Sequence, residues 1–132
     1  MTLAPVCDFN FERYESWNRL VPKGIVYDAA FAGFLRGAYV RYEDWSHPHV
    51  SPIYGDLRGY PPALLVVGTA DPIVDSVHTF AEKLRDAGNE RVELFVREGM
   101  PHGFYFFPGL FKEEEAYDAD KKFLGETLLA AR

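Results

Sequence analysis

Two short stretches hold the side chains best suited to chemistry. Asp71 lies three residues past an apolar run, Leu64-Leu65-Val66-Val67-Gly68. His102 lies in Gly99-Met100-Pro101-His102-Gly103-Phe104, just past a second strand-like run from Arg91 to Glu98. In an open parallel sheet, ligands and chemistry collect in the crevice beyond the carboxyl ends of the strands. A carboxylate past one strand and an imidazole past the next can therefore meet. Asp71 would accept a hydrogen bond from one ring nitrogen of His102, which fixes the tautomer and leaves the other nitrogen to take a proton. That is an acid orienting a base that would serve a nucleophile. The remainder is a hydroxyl nucleophile and donors for the oxyanion. The serines are Ser16, Ser46, Ser51 and Ser76, and none stands in a Gly-x-Ser-x-Gly elbow. With no serine so placed there is no covalent step, and the expectation for these 132 residues alone is little or no turnover.

The elements that must position this pair are legible from period and punctuation. Ala63 to Gly68 is apolar on both faces, as a parallel strand covered by helices is. Asp75 is read as the cap of a helix running to about Ala87, with Val77, Phe80, Ala81 and Leu84 as its stripe and Gly88-Asn89 as its stop. Val92, Leu94 and Val96 alternate with Glu93, Phe95 and Arg97, which is a strand period. Upstream, Thr2 to Val6 is a short apolar strand whose Pro5 confines it to a terminal or edge position. Cys7 reads as a small buried side chain. The stretch from Asp8 to Gly24 is an aromatic-rich loop or short helix. Asp28 caps a helix with Phe31, Phe34, Leu35 and Ala38 on its buried face. Four prolines, Pro48, Pro52, Pro61 and Pro62, make Tyr42 to Pro62 a long connection. The last helix runs from about Glu113 to Leu129, with Ala116, Tyr117, Phe123, Leu124, Thr127 and Leu128 on one side. Its acidic start, Glu113 to Glu115, is a solvated first turn that suits the helix dipole. Strand and helix alternate, so the crossovers are right-handed and the sheet is parallel.

Composition narrows the function classes. The chain is one domain in size, 48% hydrophobic, 26% charged and 16% aromatic, which is a globular balance. The net charge is -6 and there is no Lys/Arg run, so a nucleic-acid partner has no electrostatic basis. The single cysteine excludes an internal disulfide and a cysteine-based zinc cluster. No apolar run approaches the ~18 residues of a membrane span, and no signal-peptide pattern opens the sequence. A cytoplasmic location is the resulting expectation. His47-Pro48-His49 has no carboxylate motif around it and reads as loop, and His78 reads as a structural helix residue. No cofactor or metal is implied.

Four stretches, in order, carry a resemblance: Ser51-Pro52-Ile53-Tyr54, then Tyr60-Pro61-Pro62-Ala63-Leu64-Leu65-Val66-Val67-Gly68, then Asp71-Pro72-Ile73-Val74-Asp75, then Glu98-Gly99-Met100-Pro101-His102-Gly103-Phe104. They resemble the hormone-sensitive-lipase-like branch of the α/β-hydrolases, carboxylesterases acting on short acyl esters. Thr2 to Asp8 also resembles that family's strand after the nucleophile helix. The resemblance implies an α/β class: a partial α/β-hydrolase fold, a short parallel sheet of about three strands with flanking helices. It implies one domain, residues 1–132, matching the carboxyl-terminal portion of the fold without the nucleophile elbow, the His-Gly-Gly oxyanion segment or the lid. By the same resemblance Asp71 matches the family's acid and His102 its base.

A partner expectation follows. A parallel strand at Thr2 to Val6 with no neighbour on its far side is a template for pairing with another chain. The chain is expected to self-associate through that edge, or to bind a complementary chain that bears the nucleophile and so restores a split esterase for a small-molecule ester. A non-enzymatic oligomerisation or binding module that keeps the hydrolase sheet is the competing reading. A fragment with no function of its own and a serine peptidase of the same fold are further ones. The aromatics Phe9, Phe11, Tyr14, Trp17 and Phe104 to Phe107 line an acyl pocket, cover the sheet ends or meet a partner.

Overall fold

The computed structural model describes every residue except 1, 4, 25–27, 108, 112–113 and 131–132. Three parallel strands form one sheet in the order β1 (Thr2–Leu3), β2 (Ala63–Gly68), β3 (Val92–Arg97). Among the described residues four α-helices accompany them: α1 (Glu15–Leu20), α2 (Ala29–Tyr39), α3 (Val74–Asp86) and α4 (Glu114–Ala130). β2 is central. It pairs with β1 at Thr2↔Leu65 and Leu3↔Val66, and with β3 from Ala63↔Val92 through Gly68↔Arg97. Every residue of β2 is buried, which is why its sequence shows no alternation: both of its faces are covered.

β1 is shorter than the sequence reading of Thr2 to Val6. Pro5 and Val6 lie outside any strand, as expected of a proline with no N–H to give the ladder. β3 is an edge strand, half-buried at Val92, Leu94 and Phe95 but exposed at Val96. The alternation read from its sequence is therefore only partly a core pattern.

α3 buries Val77, Phe80, Ala81 and Leu84 on the sheet, as its stripe requires. Just past its cap Ala87, Gly88 takes a φ of +86°, and Asn89 returns a side-chain N–H to the carbonyl of Leu84. This is a helix stop of the kind glycine makes cheap.

α2 corrects its reading. Asp28 caps it as expected, accepting from the N–H of Phe31. However, Phe34 is 69% exposed, Phe31 and Leu35 are exposed with it, and Ala38 also faces solvent. The helix docks instead through Ala32 and Arg36. The Arg36 guanidinium lies over the rings of Phe11 and Trp45, at 5.1 and 4.2 Å, and forks onto Glu12 at 2.6 and 2.9 Å. A polar anchor, not the apolar stripe, sets the rotation of this helix.

α4 shows the same narrowing. Ala116 and Phe123 are buried and Thr127 half-buried, whereas Tyr117, Leu124 and Leu128 are exposed. Glu113 lies outside the described residues. Arg91 fixes this helix by stacking 4.5 Å over Phe123 and pairing with Glu126, and Arg97 pairs with Glu115. A three-stranded sheet is too narrow to cover a wider stripe.

Candidate active site

The turn after β2 and the turn after β3 are stitched together before either catalytic candidate is reached. The N–H of Thr69 donates to Arg97 O at 2.9 Å, that of Ala70 to Met100 O at 3.0 Å, and that of Gly99 to Thr69 Oγ1 at 2.8 Å. The backbones approach so closely at Gly68 that a Cβ there would lie 2.0 Å from Met100 O. Only glycine fits. Gly99 and Gly103 hold φ of +71° and +69°, which lets the second turn reverse twice around His102 at little steric cost.

These turns place the two side chains as the sequence led one to expect. Asp71 is fully buried, and its Oδ2 lies 2.8 Å from Nδ1 of His102. Its Oδ1 accepts the N–H of Ile73 at 3.1 Å. Both carboxylate oxygens are therefore committed, one to the ring and one to the turn. The imidazole side chain is 21% exposed while its partner is sealed off. A buried carboxylate on Nδ1 selects the tautomer that carries its proton there and leaves Nε2 as the basic position. The arrangement can orient a general base.

The serines are committed elsewhere. Ser16 Oγ donates to Pro72 O, Ser51 Oγ to Trp45 O and Ser76 Oγ to Ile73 O, at 2.8, 2.5 and 2.8 Å. Ser46 Oγ accepts from the Asn10 side chain at 3.2 Å. His47 and His49 are exposed and stack edge-on against each other. His78 is exposed on α3. Among the described residues no group of three or more His, Cys, Asp or Glu side chains is arranged to hold a metal ion.

One reading of the site residues was wrong. Asp75 does not cap α3. It sits in that helix's first turn, and its Oδ2 accepts the N–H of Ser16 in α1 at 2.7 Å. Sequence spacing cannot reveal a cap that crosses 59 residues.

A second buried carboxylate was missed. Asp8 follows β1 much as Asp71 follows β2. Its Oδ1 accepts from the backbone and side-chain N–H groups of Asn10, and its Oδ2 from the hydroxyls of Tyr14 and Tyr54, all at 2.9 Å. Burial, then the hydrogen bond to Asp8, pushes both tyrosine hydroxyls above their ordinary range. The same segment is tied to the Ser51–Tyr54 stretch through Phe9 N to Ser51 Oγ and Ile53 N to Cys7 O. Its position past a strand end was the available signal.

Beside the acid turn lies an apolar cavity of about 190 Å³, walled by Phe9, Phe11, Trp17, Leu35, Tyr39 and Ile73 among others. Of the aromatics read as pocket, cover or interface, Phe9, Phe11 and Trp17 line this cavity. Phe104 and Tyr105 are buried in the core, and Phe106 and Phe107 are exposed. Ile73 belongs both to the cavity wall and to the hydrogen-bonded turn of Asp71.

Parallel strands connected through helices, with a buried carboxylate and a histidine meeting at adjacent strand ends, define an architecture of the α/β class. Residues 1–106 match the family model described as alpha/beta hydrolase fold. The chain belongs to this family, and it is similar to hormone-sensitive lipases within it. It is 36% identical over 73 residues to an esterase of Acinetobacter venetianus, a match covering 55% of this chain and 24% of the esterase. It is 39% identical over 70 residues to the hormone-sensitive lipase of Mus musculus, covering 51% of this chain and 9% of the lipase. Among solved structures, a hyperthermophilic esterase of the archaeon Pyrobaculum calidifontis superposes with a TM-score of 0.81 at 25% identity. A hormone-sensitive lipase from a metagenome library superposes with 0.75 at 29% identity. Each covers 98% of this chain, and the chain spans 43% and 42% of theirs. It thus spans less than half the length of these relatives.

Proposed function

We propose that this chain contributes the acid and the base of a carboxylic-ester hydrolase: Asp71 as the orienting acid and His102 as the general base. The observation that carries this reading is the 2.8 Å contact between His102 Nδ1 and a fully buried carboxylate, at the ends of adjacent parallel strands. In the reaction, Nε2 of His102 takes the proton of an attacking serine hydroxyl and later gives it to the leaving alcohol. Asp71 keeps Nδ1 protonated and stabilises the imidazolium that forms. The serine and the oxyanion donors come from polypeptide beyond these residues. The apolar cavity next to the acid turn takes an apolar part of the ester.

Family membership, the esterase and lipase names of the relatives, and the spent hydroxyls of Ser16, Ser51 and Ser76 support this reading. It also assigns partners. The chain pairs through the β1 edge, either with a nucleophile-bearing polypeptide or with a second copy of itself. In support, among the described residues β1 pairs with β2 alone, and an unpaired edge invites a further strand.

The test is an assay on a chromogenic short-chain ester. The purified chain alone gives no saturable turnover. Adding the part of the Acinetobacter venetianus esterase that precedes its matched segment produces turnover that His102→Ala abolishes. Saturable turnover by the chain alone that disappears in His102→Ala sinks the split-site reading. Turnover in the mixture that survives His102→Ala sinks the assignment of the base.

A further inference from the structure

Ser16 is a buried serine that catalysis does not use, and it is tied to the acid turn from outside. Its Oγ donates to Pro72 O at 2.8 Å and accepts the N–H of Asp75 at 3.3 Å. Its own N–H donates to Asp75 Oδ2 at 2.7 Å. These three bonds close a ring between residues 56 and 59 positions apart in the chain. Ser16 is the second residue of α1 and Asp75 the second of α3, and the preceding residues, Tyr14 and Ile73, give neither helix a side-chain cap. Each side chain thus satisfies an orphan N–H of the other's helix.

The turn held this way is the one that aims Asp71. The N–H of Ile73 donates to Asp71 Oδ1, and the N–H of Val74 to Asp71 O. Those inner bonds fix the carboxylate relative to the turn, while the Ser16 bonds fix the turn relative to α1. Pro72 is buried and has no N–H, so its carbonyl is its only backbone group in need of a partner. Ser16 Oγ supplies that partner. Loss of Oγ leaves Pro72 O and Asp75 N–H in a buried place without their partner, and the turn moves to find replacements.

We propose that Ser16 and Asp75 are positioning residues, a reciprocal latch that locks the Asp71 turn so that its carboxylate meets His102 Nδ1. This rests on the acid–base reading of Asp71 and His102, and a readout that needs no turnover separates the two. In the chain as it stands, the hydrogen-bonded Nδ1–H of His102 is followed by proton NMR at fixed pH and temperature, with ring nitrogens labelled. The wild type shows a slowly exchanging low-field proton that Asp71→Asn removes. If it does not, the acid–base reading falls by itself.

Given that signal, Ser16→Ala broadens it and speeds its exchange by at least about tenfold, with backbone fold retained by circular dichroism. Asp75→Asn, which keeps an acceptor oxygen, preserves it. Leu84→Val, which destabilises the far side of α3 without touching the turn, also preserves it. An unchanged proton in folded Ser16→Ala overturns the proposal, as does an equal loss in Leu84→Val. Should Ser16→Ala not fold, Asp75→Ala decides: it keeps the Ser16–Pro72 bond, faster exchange in it supports the latch, and wild-type exchange overturns it.

Discussion

At the scale of single residues, burial decides what each titratable group can do. Asp71 and Asp8 are both sealed from solvent after a strand. Asp8 gives its oxygens to Asn10, Tyr14 and Tyr54, whereas Asp71 gives one of its two to a ring that solvent still reaches. The first is a structural hub and the second can serve chemistry. Asp8→Ala removes the acceptor of two tyrosine hydroxyls. It should cost about 3 kcal/mol, as breaking a buried charged hydrogen-bond network does, and urea denaturation measures it. Asp71→Asn should leave stability within about 1–2 kcal/mol yet lower kcat of the completed esterase by ~10³ or more, because the amide presents the wrong group to Nδ1. Equal rates for the two proteins would remove Asp71 from the mechanism. Cys7 is a third case. Burial, with the Asp8 charge adding to it, pushes its thiol up to about 12. The native protein should therefore resist iodoacetamide at pH 8, and alkylation should appear only with denaturant. A thiol modified at the rate of a free cysteine would contradict the sealed position.

At the scale of elements, the site depends on two turns that share a backbone contact. Gly68→Ala places a methyl group against Met100 O, where the gap is 2.0 Å. The backbone must move, so the expected cost is at least about 3 kcal/mol, with loss of the His102–Asp71 signal before unfolding. A thermal melt together with the NMR readout checks both parts. A methyl tolerated with the signal intact would show that the turns are not held as described. The helices behave differently from one another because their anchors differ. α3 follows its apolar stripe, while α2 is set by Arg36 on Glu12, Phe11 and Trp45. The hydrogen bond from Arg36 holds the Glu12 carboxyl below its ordinary range.

For the whole molecule, the surface left open is considerable. Phe34, Tyr39, Leu128 and Leu129 are each more than 60% exposed on α2 and α4, and exposed apolar groups that gather into a contiguous patch ordinarily meet a partner. The chain should therefore gain mass with concentration in light scattering. A monomer at every concentration would count against both partner proposals. Stability should also fall in alkali. Cys7 and Tyr14 are both held in their neutral forms by burial, so their unfolded counterparts ionise first. The contribution is complete below the unfolded thiol range, about 8.5. It is lost as pH climbs toward the folded value for Cys7 of about 12. A melting temperature that stays level from pH 8 to pH 11 would refute this. Among the described residues no helix is long and apolar enough to cross a membrane.

The amino-acid order by itself determined the central strand, the stripe and stop of α3, and the placement of an acid and a histidine past neighbouring strands. These rest on local signals: an unbroken apolar run, a helical period, a glycine after the last turn, a carboxylate two residues beyond Thr69. Only the tertiary structure decided which face of α2 is buried, why Gly68 must be glycine, and that Asp75 serves the helix of Ser16 instead of its own. Each of those depends on a group brought from more than twenty residues away. The physical reason is range. Propensity and period act within a few residues, whereas a desolvated hydrogen bond or a close backbone approach exists only once distant segments have met.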